Sequence, residues 1–367
     1  MHAYGYPDRT FLNKQYMHMP IKAGRRKSIT EHTIKTRRHT TFYLAAGPEN
    51  GPLVIFLHCW PELSISWRHQ LPALAALGFR TIAPDMRGFG RSSVYPQHGD
   101  YAQEHIVRDM LELVEAVGRE KAVWVGHDWG SPVVWNLASH HPDRYHAVAN
   151  LCVPYCTFER GLDHVLATID RELYPENEFP AGQWDYMRYY EESFAEAIAS
   201  MDANVYEFVK LLFRKGDPAG EGQRAFTATA RRSHSFLGMS PIPDLPPDND
   251  VVTEEDLSIY VSALERNGFF GPSSWYMNHS VNAEYGRTAR NGGYLEMPVL
   301  FLNARYDYVC ECSHSRLPEA MRTYCRNLTE ETIRSGHWLA QEKPVEVNAA
   351  LVKWLATTVP DVWPKQE

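Results

Sequence analysis

Ala122-Val-Trp-Val-Gly126-His127-Asp128-Trp129-Gly130 is the stretch on which the reading of this chain turns. A short apolar run, as in a strand buried on both faces, enters a turn flanked by two glycines and leaves it into the helical pattern of Ser131 to His140. Glycines at 126 and 130 suit a strand-to-helix turn with no room for side chains, which would present Asp128 beyond the strand end. An aspartate ahead of a helix also serves as an N-cap, so this turn takes its meaning from its surroundings.

Working outward, Leu53-Val-Ile-Phe-Leu-His58, Arg80-Thr-Ile-Ala-Pro84 and Ala147-Val-Ala-Asn-Leu-Cys-Val153 are strand-like runs. Helix-like stretches from Trp67 to Leu77 and from Gln103 to Val117 lie among them. This alternation predicts an α/β protein with a mostly parallel, doubly wound sheet. The rhythm stops over residues 155–293, which are helix-like and rich in aromatics and acids. It resumes at Pro298-Val-Leu-Phe-Leu-Asn303, with a further strand at Thr332-Ile-Arg334 and a last helix from about Pro344. The expected organisation is a core over 1–153, an inserted helical cap over 154–294 and the rest of the core over 295–367, with Pro241–Asp250 a loop of the cap. A cap so placed covers the strand ends, where open α/β sheets bind ligands.

The 367 residues, 44% hydrophobic and 22% charged, are ample for a large core and too apolar for a disordered chain. The net charge of −8 argues against nucleic acid or anionic lipid as partner. Residues 1–50 do carry nine Lys/Arg against three Asp/Glu, with Arg25-Arg26-Lys27 and Lys35 to Arg38 the densest parts; polar faces of antiparallel strands explain these better than a nucleic-acid-binding arm. No membrane span is expected, and Asp8, Arg9 and Lys14 speak against a secretory leader. Six unevenly spaced cysteines make no disulfide framework, so the expected compartment is the cytoplasm.

Two further residues fall where a catalytic triad needs them. Asp307 follows the strand Pro298–Asn303, and His337 follows the last strand in Ser-Gly-His-Trp338. Nucleophile, acid, histidine is a chain order in which triads occur, each member beyond the C-terminal end of its strand. His58-Cys59-Trp60-Pro61, after the first buried strand, is placed to supply an oxyanion-hole amide from Trp60, aimed by Pro61 and paired with the amide of Trp129. Asp85-Met-Arg-Gly-Phe-Gly-Arg-Ser92 lacks a dinucleotide fingerprint, and Cys152/Cys156 and Cys310-Glu-Cys312 lack zinc spacing, so no cofactor and no metal are expected.

Together, His58-Cys-Trp-Pro61, Gly126-His-Asp-Trp-Gly130, Asp307 and Gly336-His337-Trp338 resemble the epoxide hydrolases of the α/β-hydrolase superfamily, over residues of about 40–360. The resemblance includes Trp184-Asp-Tyr186-Met-Arg-Tyr-Tyr190 and Phe270-Gly-Pro-Ser-Ser-Trp-Tyr276, which look like that family's two tyrosine-bearing cap segments. It implies the α/β-hydrolase fold and a role for Tyr186 and Tyr276 in gripping an epoxide oxygen, although Tyr189 and Tyr190 could replace Tyr186. The chain departs from the family pattern at Cys59 and Ser131, where the family carries glycine.

An aspartate nucleophile suits a saturated electrophile, because its attack leaves an ester that water can cleave at the enzyme's own carbonyl. Water activated by the His337–Asp307 pair would free Asp128. An epoxide also expels an alkoxide, which needs a proton donor such as a phenol; a halide does not. The expected partners are a small apolar epoxide and water, in a pocket where His58, Pro61, Trp129, Tyr190 and Trp338 bind substrate; a homodimer is compatible with this reading. The rival functions are a dehalogenase using the same ester chemistry and a non-catalytic receptor.

Overall fold

The computed structural model describes residues 29–238 and 243–365. The basic triplet Arg25-Arg26-Lys27 and the residues Asp8, Arg9 and Lys14 lie outside the described residues, as do 241–242 of the expected cap loop.

Eight strands form one sheet in the order β1-β2-β4-β3-β5-β6-β7-β8. They are β1 (Thr30–Lys35), β2 (Thr40–Ala46), β3 (Leu53–Leu57), β4 (Arg80–Pro84), β5 (Ala122–His127), β6 (Tyr145–Leu151), β7 (Leu295–Ala304) and β8 (Cys325–Ile333). β2 pairs antiparallel with both β1 and β4, and the other six strands run parallel. Every residue of β3 and β5 is buried, which is why both read as unbroken apolar runs. β1, at the sheet edge, alternates between exposed and partly buried positions and places Lys35 on its polar side.

After β3 the chain crosses to β4 on one side, and after β5 it crosses to β6 on the other. The boundary between β3 and β5 is therefore the topological switch point, where loops diverge and leave a crevice at the strand ends. The loop at Cys59-Trp60 and the turn at Asp128 open on this crevice.

Three helices follow strands of the first half: α1 (Gln70–Ala75), α2 (Gln103–Ala116) and α3 (Gly130–His140). The expected helix from Trp67 to Leu77 is shorter and is preceded by a 3-10 turn over Ser64–Trp67. The chain leaves helical geometry at Gly78, whose φ is +97°.

Between β6 and β7 the described residues hold only helices, 3-10 turns and loops. Among them are α4 (Leu162–Leu166), α5 (Asp185–Ala203) and α6 (Val205–Leu212), then helices Glu254–Asn267 and His279–Arg287. α5 is broken at Ser193, where φ and ψ leave the helical region. The last helix, Pro344–Thr358, carries proline in its first turn, as expected. None of the helices among the described residues is long and apolar enough to cross a membrane. All six cysteines are buried, and none is in a disulfide.

Candidate active site

The turn at Asp128 is as tight as its glycines suggest. A Cβ on Gly126 would lie 2.5 Å from Asn150 Oδ1, and one on Gly130 only 2.3 Å from the Leu57 carbonyl oxygen. Those contacts let α3 start directly against the end of β3. Asp128 itself sits at φ +45°, a left-handed conformation that aspartate tolerates better than most residues, and its side chain is not used to cap α3.

Asp307 follows β7, and its Oδ1 accepts the backbone N–H groups of Val309 (3.1 Å) and Cys310 (3.0 Å). Its Oδ2 lies 2.6 Å from Nδ1 of His337, which follows β8. The other ring nitrogen, Nε2, is 3.8 Å from Asp128 Oδ2. The structure thus brings Asp128, Asp307 and His337 into one chain of contacts from three strand ends. Burial alone would lower the His337 pKa, but Asp307 first and Asp128 second hold it up at about 9. Burial likewise opposes charge on Asp307, yet the imidazolium and the two amides keep its pKa below the ordinary value.

The loop after β3 closes over Asp128. The Trp60 amide donates to Asp128 Oδ1 at 3.4 Å, and the Cys59 thiol donates to the same oxygen at 2.8 Å. The Trp60–Pro61 peptide is cis. Of the two amides expected to serve as donors, only that of Trp60 is hydrogen-bonded to the Asp128 carboxylate among the described residues.

Beneath lies a buried network that the sequence reading passed over. Glu62 accepts the Cys59 amide (3.1 Å) and the Gln341 side-chain amide (2.6 Å), and its Oε2 is 3.3 Å from His127 Nδ1. His127 Nε2 in turn meets the His337 carbonyl oxygen at 2.8 Å. Burial would raise the Glu62 pKa, but His127 and its other partners hold it below the ordinary value. The carboxylate ties the Cys59–Trp60 loop, the elbow and the His337 loop together. Its only sequence signal was an acid directly after Pro61.

Above Asp128 is a cavity of about 450 Å³. Trp60, Tyr186, Tyr276, Asp307, His337 and Trp338 line it with Asp128, and Leu211, Leu212, Phe236, Leu237 and Val309 add apolar wall. The two tyrosine rings meet edge to face at 5.6 Å, and neither hydroxyl has a hydrogen-bond partner among the described residues. Burial is the main cause that pushes both phenols well above their usual pKa, so both remain protonated.

Four residues expected to touch substrate do not line this cavity. His58 is turned inward, with Nδ1 2.8 Å from the Cys59 carbonyl oxygen and Nε2 accepting the Met86 amide at 2.9 Å. Pro61 is buried in the loop, in the turn closed by the Glu62 amide on the Cys59 carbonyl. Trp129 is buried behind Tyr276, edge-on at 4.9 Å. Tyr190 stacks on Tyr276 at 4.9 Å, and Tyr189 is buried with its hydroxyl unpartnered, so of the three tyrosines on α5 it is Tyr186 that lines the cavity.

Among the described residues, three sets of donor atoms lie close enough to hold a metal: Cys59/His127/His337, Asp128/Cys310/His337 and Cys152/Asp307/His337. Every set includes His337, whose Nδ1 is already engaged by Asp307. The arrangement therefore fits an imidazole base better than a ligand cage.

The alpha/beta hydrolase fold family matches residues 52–344. The chain is similar to epoxide hydrolase A of Mycobacterium tuberculosis, at 34% identity over 89% of this chain and 97% of that protein. It is equally similar, at 34% over 84% of its own length, to the bifunctional epoxide hydrolase 2 of Sus scrofa, of which it spans only 52%. Among solved structures, epoxide hydrolase A from Mycobacterium thermoresistibile superposes with a TM-score of 0.74 at 32% identity, covering 90% of this chain and 99% of that one.

Proposed function

Because the chain belongs to the epoxide hydrolases of the alpha/beta hydrolase fold family, we propose that it converts epoxides to vicinal diols through an ester on Asp128. The observation that carries this reading is the pair of unpartnered hydroxyls, on Tyr186 and Tyr276, opening into the same cavity as the nucleophile. A halide leaving group would not call for them; an alkoxide would.

The steps follow from the geometry. Asp128 Oδ1 is held by the Trp60 amide, so Oδ2 attacks the ring carbon. The C–O bond of the ring breaks toward the two phenols, and one of them protonates the alkoxide. His337 then takes a proton from water, whose oxygen adds to Cγ of the ester. Charge collects on Oδ1 and is stabilised by the Trp60 amide, with the Trp129 amide available at the start of α3. Collapse breaks the Cγ–Oδ2 bond; the diol departs with that oxygen and takes a proton from His337, and the proton left on the regenerated Asp128 carboxyl returns to the phenolate, which restores the resting enzyme.

The aromatic and aliphatic cavity wall supports a substrate that is apolar around its oxirane. Six free thiols fit a reducing compartment, which supports the cytoplasm as the site of action.

A single turnover in heavy-oxygen water tests the scheme. The oxygen added to the diol should be light, having come from Asp128. A heavy oxygen in that first cycle would mean that water attacks the ring directly.

A further inference from the structure

The buried thiol of Cys59 is used by no step above, yet it makes the shortest contact to the nucleophile. Its Sγ is 2.8 Å from Asp128 Oδ1, the oxygen faced by the Trp60 amide, and 3.4 Å from His337 Nε2. We propose that Cys59 is a further catalytic residue, a side-chain donor of the oxyanion hole that stabilises Oδ1 while the alkyl-enzyme is hydrolysed. This rests on the ester chemistry proposed above.

A thiol is a weak donor to a neutral carbonyl but a better one to an anion, and the group it faces gains charge during hydrolysis. On alkylation through Oδ2, Oδ1 becomes the ester carbonyl oxygen. When water adds to Cγ, the electron pair moves onto Oδ1, where S–H and the Trp60 N–H already point. When the intermediate collapses, the pair returns and the thiol keeps its proton. Burial, and then the Asp128 charge, push the Cys59 pKa well above its usual value, so the group remains a donor. A second effect follows: by occupying Oδ1, Cys59 leaves Oδ2 as the attacking atom, on the side of His337.

Rapid-quench mass spectrometry of the Asp128 peptide separates ester formation from ester decay. In Cys59→Ala, decay should slow roughly tenfold, below the cost of losing a strong backbone donor. Formation should not slow, because a carboxylate with one donor fewer is no worse a nucleophile. Ester should therefore accumulate, and Cys59→Ser should restore most of the decay rate. Unchanged decay in Cys59→Ala, equal slowing of both steps, or a serine variant no better than alanine would overturn the proposal. Should Cys59→Ala fail to fold, the S–H infrared band of the unmodified enzyme decides, since it should shift when Asp128 is alkylated; a fixed band refutes it. Failure of the underlying chemistry looks different, because no ester would then form in any of the proteins.

Discussion

At the scale of single residues, the proposed cycle turns on the exchange of charge between Asp128 and His337. In the resting protein two carboxylates hold the imidazole proton, with a pKa of about 9. Alkylation removes the charge of Asp128 and thus one reason for the proton to stay, so the base is released when it is needed. The decay of the alkyl-enzyme should rise with pH to a plateau, with a midpoint below 9; a midpoint above 9 would contradict this coupling. The same shift fixes a sign for stability. The folded pKa is raised above the ordinary 6.5, so this contribution is whole below 6.5 and is lost as pH climbs through about 9, which a urea midpoint followed across that window checks. Tyr276→Phe removes one of two phenols facing the cavity and should slow ester formation by roughly 10²-fold, at the low end for a positioned proton donor, with little change in unfolding midpoint. Unchanged formation kinetics would reassign the donor. Asp128, Asp307 and His337 were legible because each stands at a strand end in triad order. His58, Pro61, Trp129 and Tyr190 do not line the cavity, because sequence position beside a site residue does not say which way a side chain turns.

At the scale of elements, the elbow depends on backbones in near contact. A methyl at Gly130 meets the Leu57 carbonyl oxygen at 2.3 Å, and that atom belongs to a central strand that cannot yield. Gly130→Ala should therefore cost about 3 kcal/mol in urea unfolding and most of the activity; a loss under about 1 kcal/mol would show that α3 can withdraw. The sheet was readable where burial is complete. β8 was not: Cys325-Arg-Asn-Leu-Thr-Glu-Glu-Thr-Ile333 pairs along β7, but as the outer strand it is fully buried only at its two ends and lacks an apolar run. Only its end at Thr332 was recognised.

At the scale of the molecule, sheet and helical insertion are joined through aromatic side chains. Trp60, from the sheet side, contacts Tyr190, Phe208, Phe236, Phe269 and Tyr276, all from the insertion. With so much shared packing, the two parts should unfold together, and far- and near-ultraviolet circular dichroism should give coincident thermal transitions. An earlier near-ultraviolet transition would mean that the insertion has a stability of its own. The break in strand rhythm coincides with the helices and loops that lie between β6 and β7 among the described residues. The apolar cavity wall was not legible in the sequence, because Leu211 comes from α6, Phe236 from a loop between β6 and β7 and Val309 from the loop after β7, and no shared periodicity marks them.

The seclusion of all six cysteines has a chemical meaning for such a catalyst. Epoxides alkylate sulfur, and a thioether so formed would be permanent damage. All six thiols are buried, and the two nearest the carboxylate cavity, Cys59 and Cys310, are held protonated and so weakly nucleophilic; in the proposed reaction the epoxide therefore meets a carboxylate, whose adduct water can undo. Burial of these thiols would spare the protein from the class of molecule that it is proposed to hydrolyse.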